Sequence, residues 1–327
     1  MTRLIEAFLL GIVGAFLFIK LANTVQVMHR HSIAFGVYDP HQAFQHPEVL
    51  IEHHFVPWRL DNTRELDEAL QSAKHNHRLP MITLEPWPWN WNGMTNETLF
   101  QDILSGKYDR TIERILNVLK QQSPQKVLFR WAHEMEIVGQ YPWSKEDSNN
   151  YVRVYHYVAD YARRLGISNV FWIWSPAGNR SARSYYPGSD YVDFVGISIY
   201  ATKEWNTQDP SKIHSFSKLI SEKYWIANHF NKPMIISEVG VAGSENEIDW
   251  WITDAVNSLV RYPKVKAWVY FNQVQPNIVP LPIGFPNWEL SQQQIHLLTS
   301  QWQAYNKGRL GQDNIQAFMM SQGELRP

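Results

Sequence analysis

Eight short apolar runs alternate along this chain with amphipathic stretches, and that rhythm limits the fold more than any other feature. The runs are IAFGVY (Ile33–Tyr38), HHFVPW (His53–Trp58), PMITLEPW (Pro80–Trp87), KVLFRWAHE (Lys126–Glu134), NVFWIWSP (Asn169–Pro176), YVDFVGISIY (Tyr191–Tyr200), PMIISEVG (Pro233–Gly240) and VKAWVYFN (Val265–Asn272). Rich in Val, Ile and aromatic residues, they carry the pattern of strands buried on both faces. Between them lie segments of helical period. Asn62 heads NTRELDEALQSAKHN, in which Leu66 and Leu70 share a face. YDRTIERILNVLKQQ repeats Ile112, Ile115, Leu116 and Leu119, and NYVRVYHYVADYARRLG stops at Gly166. Further helices are predicted near Ser211–Phe230, Ile248–Arg261 and Leu290–Tyr305. The link between the fifth and sixth runs is short and polar, leaving room for a vestigial helix.

This alternation in 327 residues predicts an α/β chain with a single (β/α)8 barrel over residues 31–310. A doubly wound open sheet is the alternative, but no glycine-rich phosphate loop follows the first run. Residues 1–30 stand apart. Arg3 precedes an unbroken apolar run from Ala7 to Ile19, closed by Lys20, the charge-then-apolar pattern of an export signal. Cleavage after Ala22 would put Lys20 where a small residue belongs, which favours an uncleaved signal-anchor over a cleaved signal peptide. The run is shorter than the roughly 20 residues of a full span. The expectation is an exported protein tethered at the cell envelope; a buried N-terminal helix of a cytosolic protein is the alternative. Residues 311–327 read as a polar tail.

A formal net charge of −1 gives no electrostatic reason to expect nucleic acid or an anionic membrane surface as a partner. Cysteine is absent, which removes disulfides and thiolate chemistry. The chain holds 15 Trp, 15 Tyr and 15 Phe. A buried Trp needs a partner for its N–H, so this abundance points to a cleft that stacks flat ligands such as sugar rings as well as to core.

Functional groups of a barrel gather at the C-terminal strand ends. Here those ends carry Tyr38, Trp58, Glu85 with Trp87, Glu134, Trp174, Tyr200, Glu238, and Phe271 with Asn272. A glutamate closing an apolar strand is costly unless paired or employed. Strand alternation puts Arg130, Ala132 and Glu134 on one face, and Met234, Ile236 and Glu238 on another. If both faces point inward, Glu134 and Glu238 meet at the barrel mouth. Paired carboxyls in an aromatic cleft are what glycoside hydrolysis requires.

RWAHEME followed by YPW, then NVFWIWSPAGN, YYPGSDYVDFVGISIY, KPMIISEVG and AWVYFN, together resemble glycoside hydrolase family 26 from about Ile33 to about Tyr305. That family holds β-mannanases and some mixed-linkage β-glucanases on (β/α)8 barrels. The resemblance implies a retaining endo-β-glycanase with Glu134 as acid/base and Glu238 as nucleophile, and no metal or organic cofactor. It implies that His133 contacts the sugar near its 2-hydroxyl and that Tyr200 orients the nucleophile. Glu136 stands where family mannanases carry Asn, and IVGQ replaces a glycine-rich continuation. Those departures bear on sugar specificity, so β-mannan, mixed-linkage β-glucan and a bacterial exopolysaccharide are all candidate substrates.

Trp174, Trp87, Trp143 and Trp58, with Phe271 and Glu85, complete the expected substrate-binding set. Trp89 and Trp91 are further stacking candidates, while Trp131 and Trp172 sit mid-strand and read as core. Rival readings are a polysaccharide-binding barrel that does not cut, in which Glu136 crowds the carboxyl pair, and a metal-dependent hydrolase. HEME lacks the second histidine of the zinc-helix motif, and the other histidine clusters lie on unrelated elements.

Overall fold

A computed structural model describes residues 32–58, 63–88, 98–276 and 284–307. The N-terminal apolar run, Trp89, Trp91 and the C-terminal tail lie outside the described residues. Eight parallel strands close into a barrel in sequence order: β1 Ala34–Tyr38, β2 Val49–Pro57, β3 Leu79–Glu85, β4 Val127–Trp131, β5 Val170–Trp174, β6 Phe194–Ala201, β7 Met234–Val241 and β8 Val265–Phe271. The helices are α1 Arg64–His75, α2 Leu99–Leu104, α3 Asp109–Gln121, α4 Ser148–Arg164, α5 Phe216–Asn228, α6 Glu245–Ser258 and α7 Gln292–Asn306. Only 3-10 turns, Arg180–Tyr185 and Ser189–Tyr191, connect β5 to β6. The barrel lies in the unit Ile33–Pro327.

Two apolar layers hold the barrel. One cluster draws a residue from every strand, including Ala34, Ile51, Met81, Leu128, Phe171, Phe194, Ile235 and Val269, and so fills the interior. The other joins the outward strand faces to the helices. Burying a Leu or Ile in either layer contributes ~1.5–3 kcal/mol. Parallel pairing of β1 with β8 closes the barrel, and just before β1 Asn306 Nδ2 of α7 donates to Ile33 O at 3.0 Å.

Strand β4 ends earlier than the expected run, at Trp131, with Trp131 turned outward against Tyr155 of α4. Ala132 and Glu134 then adopt left-handed backbone, φ 47° and 52°. The predicted sharing of one face by Arg130, Ala132 and Glu134 therefore fails: two left-handed residues end the alternation. Glu134 is instead fixed by its own N–H, which donates to Ser175 O at 2.8 Å.

The face predicted for β7 is also corrected. Met234 and Ile236 point outward into the helix layer, and Ile235 points inward. A register shift at Ile197/Ser198 pairs Ile197 with Ile236 but Ser198 with Glu238, leaving Ser237 as an extra residue. This bulge reverses the phase of the strand, and Glu238 faces the mouth because of it.

Candidate active site

The C-terminal mouth of the barrel opens into a cavity of about 620 Å³. Its walls come from β1 (Tyr38), β2 (Phe55), β3 (Glu85), the loop after β4 (Glu134, Gln140, Tyr141), β6 (Ser198, Tyr200), α5 (Lys223), β7 (Glu238) and β8 (Phe271), with Asn179, Trp205, Gln273, Gln275 and Trp288 from loops. Two carboxyls separated by 104 positions in sequence thus face one space, in different settings.

Both Glu238 oxygens are held. Arg130 Nη1 donates to Oε1 at 2.5 Å, and Tyr200 OH donates to Oε2 at 2.6 Å. Arg130 is fully buried, and its Nη1 also reaches Thr83 Oγ1 at 3.4 Å. The Tyr200 ring can lie there because Gly240 has no side chain: a Cβ would stand 2.7 Å from the ring. Burial and the neighbouring negative charge of Glu238 push the Tyr200 hydroxyl well above its ordinary pKa, so it remains a donor.

Glu134 has no cation in hydrogen-bond contact among the described residues; Gln140 Nε2 lies 3.4 Å from its Oε2. Burial, reinforced by the charge of Glu238 and opposed by Arg130, pushes its pKa up to about 7. Glu85 closes β3 and accepts from Trp87 Nε1 at 3.0 Å. Burial raises it to about 7 as well, against the Trp87 hydrogen bond. A carboxyl that holds its proton near neutrality can donate it, which is the requirement for a general acid.

His133 lies behind Glu238, with Nε2 4.0 Å from Oε1 and 3.2 Å from Tyr141 OH. Burial, then the charge of Arg130, drives its pKa well below the ordinary value and keeps the imidazole neutral. Tyr38 and Phe271 stack at 4.8 Å, and Phe55 meets Tyr38 edge-on at 4.9 Å, giving the cavity an apolar wall.

Of the predicted residues, Glu134, Glu238, Tyr200, Phe271 and Glu85 line the cavity, and His133 supports it from behind. Trp174, Trp58 and Trp143 do not line it. Trp174 is fully buried on the outer face of β5 against Phe230 and Tyr186. Trp58 stacks on Tyr108 at 4.8 Å and donates to Trp87 O. Trp143 lies flat on Tyr141 and donates to His133 O at 2.7 Å, so it braces the histidine rather than a sugar. Trp87 is 7% exposed and holds Glu85. Trp205, the partly exposed indole of the cavity, lies outside the predicted set because it sits on the loop after β6; Trp288 borders the cavity but is fully buried, its Nε1 donating to Gln275 Oε1 at 3.1 Å. Tyr141 within YPW, Asn179 within NVFWIWSPAGN and Tyr38 at the end of the first run are wall residues outside the predicted set whose motifs carried a signal.

Glu136 is tied to the turn after β5, its Oε1 accepting the N–H groups of Gly178 and Asn179 at 3.0 and 3.2 Å, while its charge adds to the upward push on Glu134. No group of three or more His, Cys, Asp or Glu is arranged to hold a metal among the described residues. Nor is any described helix long and apolar enough to cross a membrane.

The sequence matches the model of Glycosyl hydrolase family 26 over residues 93–262, just over half of the chain. The chain belongs to glycosyl hydrolase family 26. It is 31% identical over 247 residues to Endoglucanase H of Acetivibrio thermocellus, covering 71% of this chain and 26% of that protein. It is 29% identical over 160 residues to a mannan endo-1,4-beta-mannosidase of Bacillus subtilis strain 168, covering 44% of this chain and 38% of the relative. A beta-1,3-xylanase of an Alcaligenes species is 25% identical over 172 residues, covering 51% and 34%. The chain thus spans well under half the length of these family relatives. A GH26 beta-mannanase from Bacteroides ovatus superposes with a TM-score of 0.61 at 16% identity, covering 86% of this chain and 90% of that one. That likeness, like the TM-score of 0.59 to a GH5-4 endoglucanase from Ruminococcus champanellensis at 12% identity, concerns the barrel fold alone.

Proposed function

We propose that this family 26 glycosyl hydrolase is a retaining endo-β-glycanase. The observation that carries the reading is the asymmetry of two carboxyls on one cavity: Glu238 clamped by Arg130 and Tyr200, Glu134 protonated up to about 7. Glu238 attacks the anomeric carbon as the bond to the leaving oxygen breaks, and the Glu134 proton passes to that oxygen. Water then gives a proton to Glu134 and attacks the same carbon, and the ester to Glu238 is released. Glu85 contacts sugar hydroxyls, His133 steadies Tyr141 and Glu238 from behind, and Trp205 offers a ring face. The relatives' names span β-glucan, β-mannan and β-1,3-xylan, and their common element is a β-linked backbone, which supports that substrate class here.

The test is reducing-end release from β-mannan, mixed-linkage glucan, xylan and the host's exopolysaccharide, with Glu238→Ala as control. Proton NMR of the first product reads the anomer: β supports retention, and α overturns it. Silence of the wild-type enzyme on every polymer overturns the hydrolase reading and favours a binding barrel. The apolar run Ala7–Ile19 behind Arg3 supports export and an envelope tether; fractionation and N-terminal sequencing of the mature protein decide both.

A further inference from the structure

The barrel interior changes from apolar to polar just beneath the mouth. His53 of β2, Thr83 of β3 and Arg130 of β4 each follow, by two positions, an interior residue of the barrel: Ile51, Met81 and Leu128. Strand alternation puts them in the next layer towards Glu238, and none is more than 1% exposed. They form one chain. His53 Nε2 lies 2.7 Å from Thr83 Oγ1, Thr83 Oγ1 3.4 Å from Arg130 Nη1, and Arg130 Nη1 2.5 Å from Glu238 Oε1. Among the described residues, Arg130 Nε and Nη2 have no hydrogen-bond partner. Hydrogen bonds therefore hold the guanidinium at Nη1, between the Glu238 carboxylate and the Thr83 hydroxyl.

The protons of this chain have one best order. Arg130 can only donate, so Thr83 Oγ1 accepts from it and keeps one proton to give. Burial, then the charge of Arg130, drives the His53 pKa well below its ordinary value, so the imidazole is neutral and Nε2 can accept that proton. The ring proton then sits on Nδ1, which has no partner among the described residues. The opposite tautomer is worse, because it leaves both Nδ1 and the Thr83 proton unpartnered. Phe55 and Tyr38, with ring centroids 4.5 and 5.9 Å away, enclose the imidazole. We propose that Thr83 is a positioning residue that, with His53 accepting its proton, holds Arg130 and through it aims Glu238 at the anomeric carbon. The proposal rests on Glu238 acting as the nucleophile. A guanidinium free to turn would carry Oε1 out of line, which slows attack without weakening the contacts of the cleft walls with the sugar.

The experiment compares wild type, Thr83→Val and Thr83→Ser in two assays. One is Michaelis kinetics on the polymer cleaved fastest; the other is the rate at which an aryl 2-deoxy-2-fluoro-β-glycoside of the same sugar labels the enzyme. Thr83→Val keeps the shape and removes the hydroxyl. Its kcat and labelling rate are both expected to fall about tenfold, with KM within about twofold of wild type. Thr83→Ser recovers most of both losses. An unchanged kcat, a change confined to KM, or a loss that Thr83→Ser does not recover overturns the proposal. Nitrogen-15 NMR of the wild-type histidines tests the chain even if Thr83→Val does not fold. The His53 signal, assigned by its absence from His53→Phe, is expected to show a neutral ring with its proton on Nδ1; a proton on Nε2 overturns the proposal. Recovery of the label on Glu238, with activity lost in Glu238→Ala, shows that the nucleophile reading stands whatever Thr83→Val does.

Discussion

Arg130 and Glu238, 108 residues apart in sequence, meet at the barrel mouth with Nη1 and Oε1 separated by 2.5 Å. The guanidinium comes from the inward face of β4 and is fully buried. Removing one partner of a buried pair strands the other charge, at about 3–5 kcal/mol. Arg130→Met is expected to lose about that much stability in urea unfolding and to lose turnover as well. Arg130→Lys restores the charge but not the planar fork, and falls between the two.

Glu134→Gln separates the proton from the remainder of the site. On a polymer, whose leaving oxygen needs the proton, kcat falls by roughly 10²–10⁴-fold. On an aryl glycoside with an acidic phenol as leaving group, the first step is nearly unaffected. The check is the ratio of kcat/KM on the two substrates for mutant and wild type.

With Glu134 in the proposed role of acid, its pKa of about 7 is expected to set an alkaline limit. The acid must be protonated for the first step, so kcat/KM falls tenfold per pH unit above about 7. A stopped assay across pH 5–9 reads the limb, and in Glu134→Gln that limb is absent.

Glu52 of β2 contributes stability with the opposite sign. Although burial alone raises its pKa, hydrogen bonds from His54, Ser72 and Asn76 bring it from 4.5 to about 2. Its stabilisation is complete above about pH 4.5 and is lost as pH falls through about 2. The urea midpoint of wild type is expected to fall more steeply between pH 5 and pH 2.5 than that of Glu52→Gln.

Two tryptophans separate core from cleft. Trp174→Ala empties a fully buried position and costs about 3–5 kcal/mol, with little change in KM for the fraction that stays folded. Trp205→Ala, at the partly exposed cavity wall, is expected to raise KM several-fold with little effect on the melting temperature. Thermal unfolding and Michaelis kinetics on the two proteins give the comparison.

What the sequence determined by itself was the alternation of buried strands and amphipathic helices, and with it the barrel. Strand and helix periods are local, and a run such as MIISEVGV between helical segments has few other homes. The same reasoning put Glu134, Glu238, Glu85 and Tyr200 at strand ends. Tertiary structure decided which way they point. Glu238 faces the mouth through the bulge at Ser237, and Glu134 through two left-handed residues; neither follows from alternation, because register is fixed by the neighbouring strand. Aromatic content likewise says that a ring is buried or stacked, not against what. Trp174, Trp58 and Trp143 pack on protein, while Trp205 reaches the cavity from a loop whose path depends on packing with distant elements. Lys223 follows the same rule: on its helix it reads as a surface lysine, and only the approach of α5 to the turn after β5 brings its ammonium to Ala177 O and Ser198 O.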